Sequence, residues 1–228
     1  MASRVLYQFT LSPYCTKVRW ALEWKRLEYD AVEVDPFTRR EVRAVSGQKL
    51  VPVLKDGDLV IADSTPILDH LETRYPHRPL WPADPVARAR HKALEDWADE
   101  VFTKDLVGFK IFSSDNARRM VVRTAKHHAP SLLTPLQLRL GPPVVRWLGR
   151  TRRRGRSLER MRADYERNLD LLEAMLAENV PYLTGDAPGV FDAAVWGALW
   201  TMRGMEGEHL LAARPRLTAW YARMKNGI

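Results

Sequence analysis

Residues 4–35 read RVLYQFTLSPYCTKVRWALEWKRLEYDAVEVD and change their periodicity twice. The opening run, RVLYQF, is short and rich in β-favouring residues, which is typical of a strand. It is followed by CTKVRWALEWKRL, in which Val18, Ala21, Leu22 and Trp24 have the spacing of apolar residues in a helix. The last run, YDAVEVD, alternates as a half-buried strand does. We therefore predict a strand, a helix and a second strand.

The next part of the chain continues the alternation of strands and helices. FTRREVRAVSG is polar and compatible with a short helix, and VPVLKDGDLVIAD contains two apolar runs separated by Asp56-Gly57, which is a hairpin signal. STPILDHLETRY predicts a helix that begins at Ser64, with Pro66 inside its first turn. The predicted order is βαβαββα, which makes residues 1–78 an α/β domain.

Beyond this domain the pattern becomes helical. Four prolines in YPHRPLWPADP break regular structure and mark a linker, which we place at residues 79–87. In the remaining residues, 88–228, ARARHKALEDWADEVFTKDLVGFKIF and SLERMRADYERNLDLLEAMLAEN are amphipathic segments. FDAAVWGALWTMRG is apolar on nearly all sides. We therefore predict an all-α helical bundle with this last helix at its centre.

Cys15 is the only cysteine among 228 residues. An internal disulfide and a four-thiolate metal site are therefore excluded, and we predict no metal cofactor. The N-terminal residues lack the pattern of a secretory signal peptide, and no run of about 18 apolar residues occurs. A cytoplasmic protein is the expectation.

The net charge of +8 is concentrated in the Arg-rich section, residues 139–167, which contains ten arginines and three acidic residues. The simplest interpretation is a solvated loop. The alternative is docking to an anionic membrane surface, because each basic residue near such a surface contributes about 1 kcal/mol. Pro142 and Pro143 are expected to prevent one continuous amphipathic helix. Co-sedimentation with anionic liposomes at low and high salt tests the alternative. No nucleic-acid-binding motif is present.

Ser12 and Pro13 stand where the first strand gives way to the first helix, as a helix N-cap and a first helical residue commonly do. A serine hydroxyl at that place can accept a backbone hydrogen bond and still donate to a bound anion. If the anion is a thiolate, one such bond of roughly 1.5 to 3 kcal/mol lowers a thiol pKa from about 8.5 to roughly 6.5 to 7.5. Cys15 is the alternative thiol, although a lone cysteine in the first turn of a helix is commonly a small buried apolar residue.

Two further landmarks follow in the α/β domain. Val51-Pro52 lies in an apolar strand, where a proline belongs at an edge or a special bend, and a cis bond would turn the preceding backbone toward a peptide-like ligand. Asp63-Ser64 precedes a helix. It is either a plain cap or a carboxylate and hydroxyl that hold an amino-acid-like ligand at the helix N-terminus.

In this order, the three landmarks resemble the thioredoxin-like N-terminal domain of the cytosolic glutathione S-transferases. SPYCTKVRWALEWKRLEYD is similar to the serine-type opening of the tau class, which implies that Ser12 is catalytic and stabilises the glutathione thiolate. LVPVL and ADSTPILDHLE resemble the cis-proline strand and the acidic-Ser pair of that family. The resemblance assigns glutathione binding to Tyr14, Cys15, Lys49, Val51, Pro52, Asp63 and Ser64.

The likeness covers roughly residues 4–110 and 160–225. PYLTGDAPGVFDAAVWGALW resembles the helical-domain signature of the family, with Asp192 present but Gly189 where a serine or threonine is usual. Some likeness extends to the branch that includes omega-class transferases and a membrane-associated prostaglandin E synthase, which carry cysteine at the position of Ser12. Tyr7 is a competing hydroxyl, but its spacing favours a core or interface position.

The resemblance implies a homodimeric transferase that joins the thiol of glutathione, as cosubstrate, to a small hydrophobic electrophile. We expect the electrophile to bind against Trp97, Val101, Phe109 and Phe112, all of which are equally compatible with the core. Three alternatives stay open: a thiol–disulfide oxidoreductase that uses Cys15, a prostaglandin-synthase-like isomerase, and a non-catalytic binding or scaffold protein.

Overall fold

A computed structural model describes residues 4–35, 38–127, 134–148, 155–176 and 180–226. In the first part of the chain, the order of elements is the predicted βαβαββα. The elements are β1 (Arg4–Gln8), α1 (Pro13–Trp24), β2 (Asp30–Glu33), α2 (Arg40–Ser46), β3 (Val53–Asp56), β4 (Leu59–Ala62) and α3 (Ser64–Arg74).

The four strands form one sheet in the order β2-β1-β3-β4. β1 runs parallel to β2 and antiparallel to β3, where Leu6 lies opposite Leu54 and both are fully buried. Tyr7 is half-buried and packs against a smaller apolar cluster that includes Val53. Gly57 has a φ of 64°, as the tight turn between β3 and β4 requires, so the predicted hairpin is confirmed.

The second part of the chain is helical. Its elements are α4 (Pro85–Trp97), a π-helical turn (Ala98–Phe102), α5 (Thr103–Phe112), α6 (Ser114–His127), α7 (Thr134–Leu148), α8 (Leu158–Met175), α9 (Val190–Trp200), α10 (Glu206–Ala212) and α11 (Pro215–Asn226). None of the helices in the described ranges has the length and apolar content needed to cross a bilayer.

Helix α4 begins inside the segment predicted as linker, 79–87. The carboxylate of Asp84 accepts a hydrogen bond of 2.7 Å from the backbone N–H of Ala87, and Pro85 occupies the first turn. An N-cap followed by proline is a complete helix start, so the proline that marked the linker starts the helix instead.

Helix α7 continues through Pro142 and Pro143, so the prediction that they interrupt it is wrong. Each proline removes one N–H donor from the helix, and α7 is packed along α6 where the prolines occur. At Gly141, α7 lies so close to α6 that an added Cβ would be 2.8 Å from a methyl group of Val121. Five large apolar side chains of α7 are exposed: Leu136, Leu138, Leu140, Val144 and Trp147. The arginines of the Arg-rich section within 149–154 lie outside the described residues.

Helix α9 is the predicted centre of the bundle, and its residues from Val190 to Leu199 are buried. It packs against α1, which joins the α/β part to the helical part. The two backbones meet at Gly197, where an added Cβ would be 2.8 Å from the carbonyl oxygen of Pro13 and 2.9 Å from the backbone nitrogen of Lys17. Only glycine allows this approach without displacement of one helix.

The start of α9 is organised by the buried carboxylate of Asp192. It accepts hydrogen bonds from the backbone N–H groups of Gly189 (3.1 Å) and Leu183 (2.8 Å) and from the indole N–H of Trp220 (2.7 Å). The hydroxyl of Thr184 donates a further bond. Because Gly189 has no side chain, the hydroxyl usual in this signature comes from Thr184 in the preceding loop.

Candidate active site

Ser12 caps α1 as predicted. Its backbone is extended, and its Oγ accepts a hydrogen bond of 3.3 Å from the backbone N–H of Cys15. Its own N–H donates to the carbonyl oxygen of Phe9 at 3.0 Å, which fixes the loop between β1 and α1. The side chain is half-buried. Since the Oγ acts as an acceptor toward the helix, its hydroxyl hydrogen is available for a second group.

Cys15 lies in the core with no exposed surface. The backbone N–H of Phe9 approaches its Sγ at 3.4 Å. Burial raises the pKa of the thiol to about 11, although the nearby Ser12 side chain and the backbone N–H of Phe9 act in the opposite direction. The thiol is therefore protonated at neutral pH and enclosed, which disfavours both a reactive Cys15 and a contact between its sulfur and a ligand.

The sheet brings the second landmark beside Ser12. Because β1 and β3 are antiparallel, with Tyr7 opposite Val53, the loop that leaves β1 lies next to the chain that enters β3. The Val51-Pro52 bond in that chain is cis. Ser12 and Pro52 thus occupy the same edge of the sheet.

The third landmark joins the same edge through the backbone of Asp63, whose N–H donates to the carbonyl oxygen of Pro52 at 3.2 Å. Asp63 has a φ of 76°, a left-handed conformation that costs free energy in a residue with a Cβ and is common at functional sites. Its carboxylate is exposed, whereas Ser64 is fully buried with its hydroxyl 3.5 Å from that carboxylate. The side chain of Asp63 does not cap α3, so its exposed carboxylate lies beside an uncapped helix N-terminus.

Lys49 is exposed at the margin of this region, and its carbonyl oxygen accepts a hydrogen bond of 2.7 Å from Nη1 of Arg39. The Arg39 guanidinium also lies over the ring of Phe9, 5.5 Å from its centroid. The sequence did not single out Arg39, because nothing in the local pattern distinguishes it from Arg40. Its backbone, with a φ of 52°, and its contacts place a second cation at the margin.

Tyr14 faces the helical part of the protein. Its hydroxyl donates to the backbone carbonyl oxygen of Asp99 at 3.1 Å, and its side chain is half-buried. The residue predicted to contact glutathione therefore also ties the start of α1 to the π-helical turn.

A buried charge cluster lies between α1, α3 and α4, and we call it the Lys17 cluster. Nζ of Lys17 donates to Glu95, to Asp99 at 2.9 Å and to the hydroxyl of Thr65 at 3.4 Å. Lys17 and Glu95 are each about 1% exposed. Burial raises the pKa of Asp99 to about 6, helped by the charges of Glu95 and Asp63 and opposed by that of Lys17. These residues are distant in sequence, so no local motif predicts the cluster.

Three of the four residues predicted to form the electrophile pocket, Trp97, Phe109 and Phe112, belong to or pack against the main apolar core. Trp97 stacks on Phe102 in the aromatic core, with ring centroids 5.8 Å apart. Phe109 is 1% exposed and stacks on Tyr165, a position that does not favour a role in a pocket. Phe112 is nearly buried, and Val101 is 42% exposed.

Lys110 supplies a connection to the active-site loop that the sequence did not suggest. From α5, its Nζ donates to the carbonyl oxygen of Leu11 at 3.3 Å and to the hydroxyl of Thr201 at 3.0 Å. The end of α9 is thereby joined to the residue immediately before Ser12. A buried amine of the helical part therefore lies beside the residue that precedes Ser12.

Two family models match the chain. Residues 6–79 match "Glutathione S-transferase, N-terminal domain" and residues 156–223 match "Glutathione S-transferase, C-terminal domain". The solved structure of a glutathione S-transferase from Rhodospirillum rubrum F11 superposes with a TM-score of 0.68 at 26% identity, covering 97% of this chain and 87% of that one.

Two curated relatives differ in what their names describe. Prostaglandin E synthase 2 of Danio rerio is 23% identical over 262 residues, which cover 96% of this chain and 70% of the relative. FtsZ-localized protein A of Caulobacter vibrioides is 30% identical over 148 residues, which cover 63% of this chain and 61% of that protein. Both match the chain well beyond its α/β part.

Proposed function

The chain belongs to the glutathione S-transferase family, with likeness to the prostaglandin E synthase 2 branch, and from this premise we propose that it is a glutathione transferase in which Ser12 stabilises the thiolate. The observation that carries the proposal is the position of the Ser12 hydroxyl. It accepts a bond from the first turn of α1 and is half-buried at the sheet edge that also holds Pro52 and Asp63.

The chemistry follows from this position. The Ser12 hydroxyl donates a hydrogen bond to the glutathione sulfur, and the partial positive charge at the start of α1 favours the same anion. The thiol proton leaves to solvent. The sulfur lone pair then forms a bond to the electrophilic carbon of the second substrate, and the leaving group departs with the electrons of the bond that breaks.

The remaining predicted contacts fit the rest of glutathione. The exposed carboxylate of Asp63 suits the ammonium of the γ-glutamyl group, and the N-terminus of α3 suits its carboxylate. Ser64 is fully buried, so we propose that its hydroxyl supports Asp63 from behind and does not touch the ligand. The backbone of Val51 is the proposed partner of the cysteinyl amide. Lys49 provides a cation for the other end of the peptide, with Arg39 close to it.

The pKa of bound glutathione tests this assignment. We expect Ser12→Ala to raise the thiol pKa, measured by ultraviolet absorption of the thiolate, by about one to two units, since one charged hydrogen bond is lost. The value of kcat/KM with an aryl halide at neutral pH should fall about 10- to 100-fold.

Ser12→Thr, which keeps the hydroxyl, and Cys15→Ala serve as controls. Both are expected to retain most of the activity. Loss of activity in Cys15→Ala with full activity in Ser12→Ala would instead support the oxidoreductase alternative.

A scaffold protein is the second candidate, and the similarity to FtsZ-localized protein A favours keeping it. Calorimetry with glutathione separates the two. If the wild type binds glutathione and Asp63→Asn binds it more weakly, the transferase is supported. If the wild type does not bind at millimolar glutathione, a scaffold or a different thiol is supported. An isomerase like the prostaglandin E synthases would bind glutathione in the same place but consume no glutathione during turnover.

The family also implies a homodimer, and we propose a cytoplasmic one; sedimentation measures the oligomeric state. Contact with an anionic membrane stays a separate hypothesis. It gains some support from the continuous α7 with its exposed apolar side chains, and liposome co-sedimentation tests it.

A further inference from the structure

Four arginines surround one cleft on the helical part of the protein. Arg118, Arg119 and Arg123 project from α6, and Arg203 comes from the turn that follows α9. The cleft has a volume of about 440 Å³. It is also lined by Asp115, Val122 and Gly204. We call it the arginine cleft.

None of these four arginines forms an ion pair with a carboxylate of the described residues. Other arginines of the helical part do so. Arg156 pairs with Asp105 at 2.6 Å, and Arg214 pairs with Asp170 at 2.6 Å. The nearby carboxylate of Glu208 accepts the backbone N–H of Gly204 at 2.7 Å. The four arginines of the cleft thus outnumber the two carboxylates beside them, Asp115 and Glu208.

The guanidinium groups are held in place by uncharged partners. Nη1 of Arg123 donates to the carbonyl oxygen of Arg203 at 2.7 Å, and Nη1 of Arg119 donates to that of Gly204 at 3.0 Å. The guanidinium of Arg203 lies over the indole of Trp200, 4.0 Å from the ring centroid. Each guanidinium has five N–H donors, so these contacts leave donors for a ligand while restricting where they point.

The groups around Arg123 favour an anion. Burial and the charge of Arg203 lower the pKa of Arg123, with Glu208 and Tyr221 acting in the opposite direction. The hydroxyl of Tyr221 is buried and has no hydrogen-bond partner among the described residues. An oxyanion would relieve the repulsion between the two arginines, because it attracts both and accepts their remaining N–H bonds.

The arginine cleft is connected to the active-site loop. Nη1 of Arg123 approaches the carbonyl oxygen of Thr201 at 3.5 Å, and the hydroxyl of Thr201 accepts from Lys110. Lys110 in turn donates to Leu11, the residue before Ser12. These contacts run through the protein interior, because Thr201 and Lys110 are 0% and 3% exposed, and they end at the residue that precedes Ser12.

We propose that the arginine cleft binds an oxyanion group of the second substrate, so that the preferred electrophile carries a carboxylate or sulfonate in addition to its apolar reactive part. This inference rests on the proposed transferase function. The expected electrophile is then an amphipathic anion and not a purely hydrophobic molecule. Its charged end would bind among the arginines, and its reactive carbon would face Ser12.

Binding without chemistry tests the cleft by itself. The probes are 3,5-dinitrobenzoate and its methyl ester, which share the ring, lack a leaving group and differ in charge. By calorimetry at low salt we expect the benzoate to bind about tenfold more tightly than the ester, and Arg123→Gln to remove this preference. Arg216→Gln is the matched control, because Arg216 also donates to a backbone carbonyl but lies away from the cleft.

Turnover tests the link to the active site. The substrates are 4-chloro-3,5-dinitrobenzoate and its methyl ester; the glutathione sulfur bonds to the ring carbon, and chloride leaves with the electrons of the carbon–chlorine bond. Arg123→Gln is expected to lower kcat/KM for the benzoate about tenfold and to leave the ester unchanged. The effect should shrink at high salt, since screening weakens exposed charges.

The two assays separate the two possible failures. The anionic electrophile is overturned, and the transferase stays intact, if the ester is turned over but the benzoate shows no binding preference. The same holds if Arg123→Gln lowers kcat/KM equally for both substrates. If neither substrate is turned over, the transferase proposal is overturned, and so is the assignment of the anion as a substrate. Selective benzoate binding that Arg123→Gln abolishes would then establish an anion site only.

Discussion

In the Lys17 cluster the charges are buried and paired, whereas the arginines of the arginine cleft, which lies beside α6, pair with no described carboxylate. Lys17 has two carboxylates and a hydroxyl within reach, at about 1% exposure. Arg119 and Arg203 are exposed and donate to a carbonyl or stack on a ring. The two regions therefore show which charges serve folding. Buried charges must be compensated by the fold itself, and exposed ones are free to be compensated by a ligand.

The largest expected effect is in the Lys17 cluster. Lys17→Met leaves Glu95 and Asp99 buried without their cation, and we expect the free energy of unfolding to fall by about 4 kcal/mol. Urea denaturation measures it. Lys104→Met is the control, because Lys104 pairs with Glu100 on the surface and its loss should cost at most about 0.5 kcal/mol. Equal losses in the two variants would contradict the distinction between the regions.

The next effect is at the backbone contact of α1 and α9. Gly197→Ala places a Cβ within 2.9 Å of backbone atoms of Pro13 and Lys17, which have no room to move. We expect a loss of about 3 kcal/mol in the free energy of unfolding by urea denaturation. Gly108→Ala is the matched control in α5, where the Cβ would meet the flexible side chain of Met161, with Sδ at 3.6 Å and Cε at 4.0 Å. This control should be neutral or slightly stabilising, because alanine favours helices.

A smaller effect is expected from the titration of Asp99. Its pKa in the folded protein is about 6, against 3.8 for a free side chain, so the folded state binds the proton more tightly. The protonated carboxyl group of Asp99 therefore stabilises the folded protein below pH 3.8, and this stabilisation is lost as the pH rises to about 6. The free energy of unfolding of the wild type minus that of Asp99→Asn should therefore decrease as the pH rises through this range. Urea denaturation at several pH values measures it. A constant or rising difference would show that Lys17 keeps Asp99 ionised.

The smallest effect is expected in the arginine cleft. Arg119→Gln removes one of several repelling charges and one exposed hydrogen bond, so the free energy of unfolding should change by no more than about 0.5 kcal/mol in either direction. Thermal unfolding with and without 3,5-dinitrobenzoate checks this. The ligand should stabilise the wild type more than the variant. A large loss of stability in the variant without ligand would place these arginines among the structural charges.

The fold was largely predictable because its signals are local. The cap at Ser12, the turn at Gly57 and the uniformly apolar α9 each depend on residues that are neighbours in the chain. The sequence pattern places the start of α4 slightly late and predicts a break in α7 that does not occur. In both cases the role of a proline depends on its surroundings: Pro85 follows an N-cap and starts a helix, and α7 packs against α6 around Gly141.

The candidate site was predictable only in part. The edge that holds Ser12, Pro52 and Asp63 followed from short motifs, and the structure brings these residues together. The electrophile side did not follow, because apolar residues of a helix look alike whether they face a pocket or the core. Phe109 shows this ambiguity, since its spacing fits either position and the structure buries it against Tyr165.

The order of elements, the serine at the start of α1 and the single cysteine can be read from the chain, since they depend on local preferences and on composition. Three features become visible in the folded protein: Cys15 is enclosed, Lys17 is neutralised by residues of α4 and the π-helical turn, and Arg123 and Arg203 share one cleft. Burial and charge pairing depend on distances between residues about 80 positions apart, and those distances are set when the helices pack.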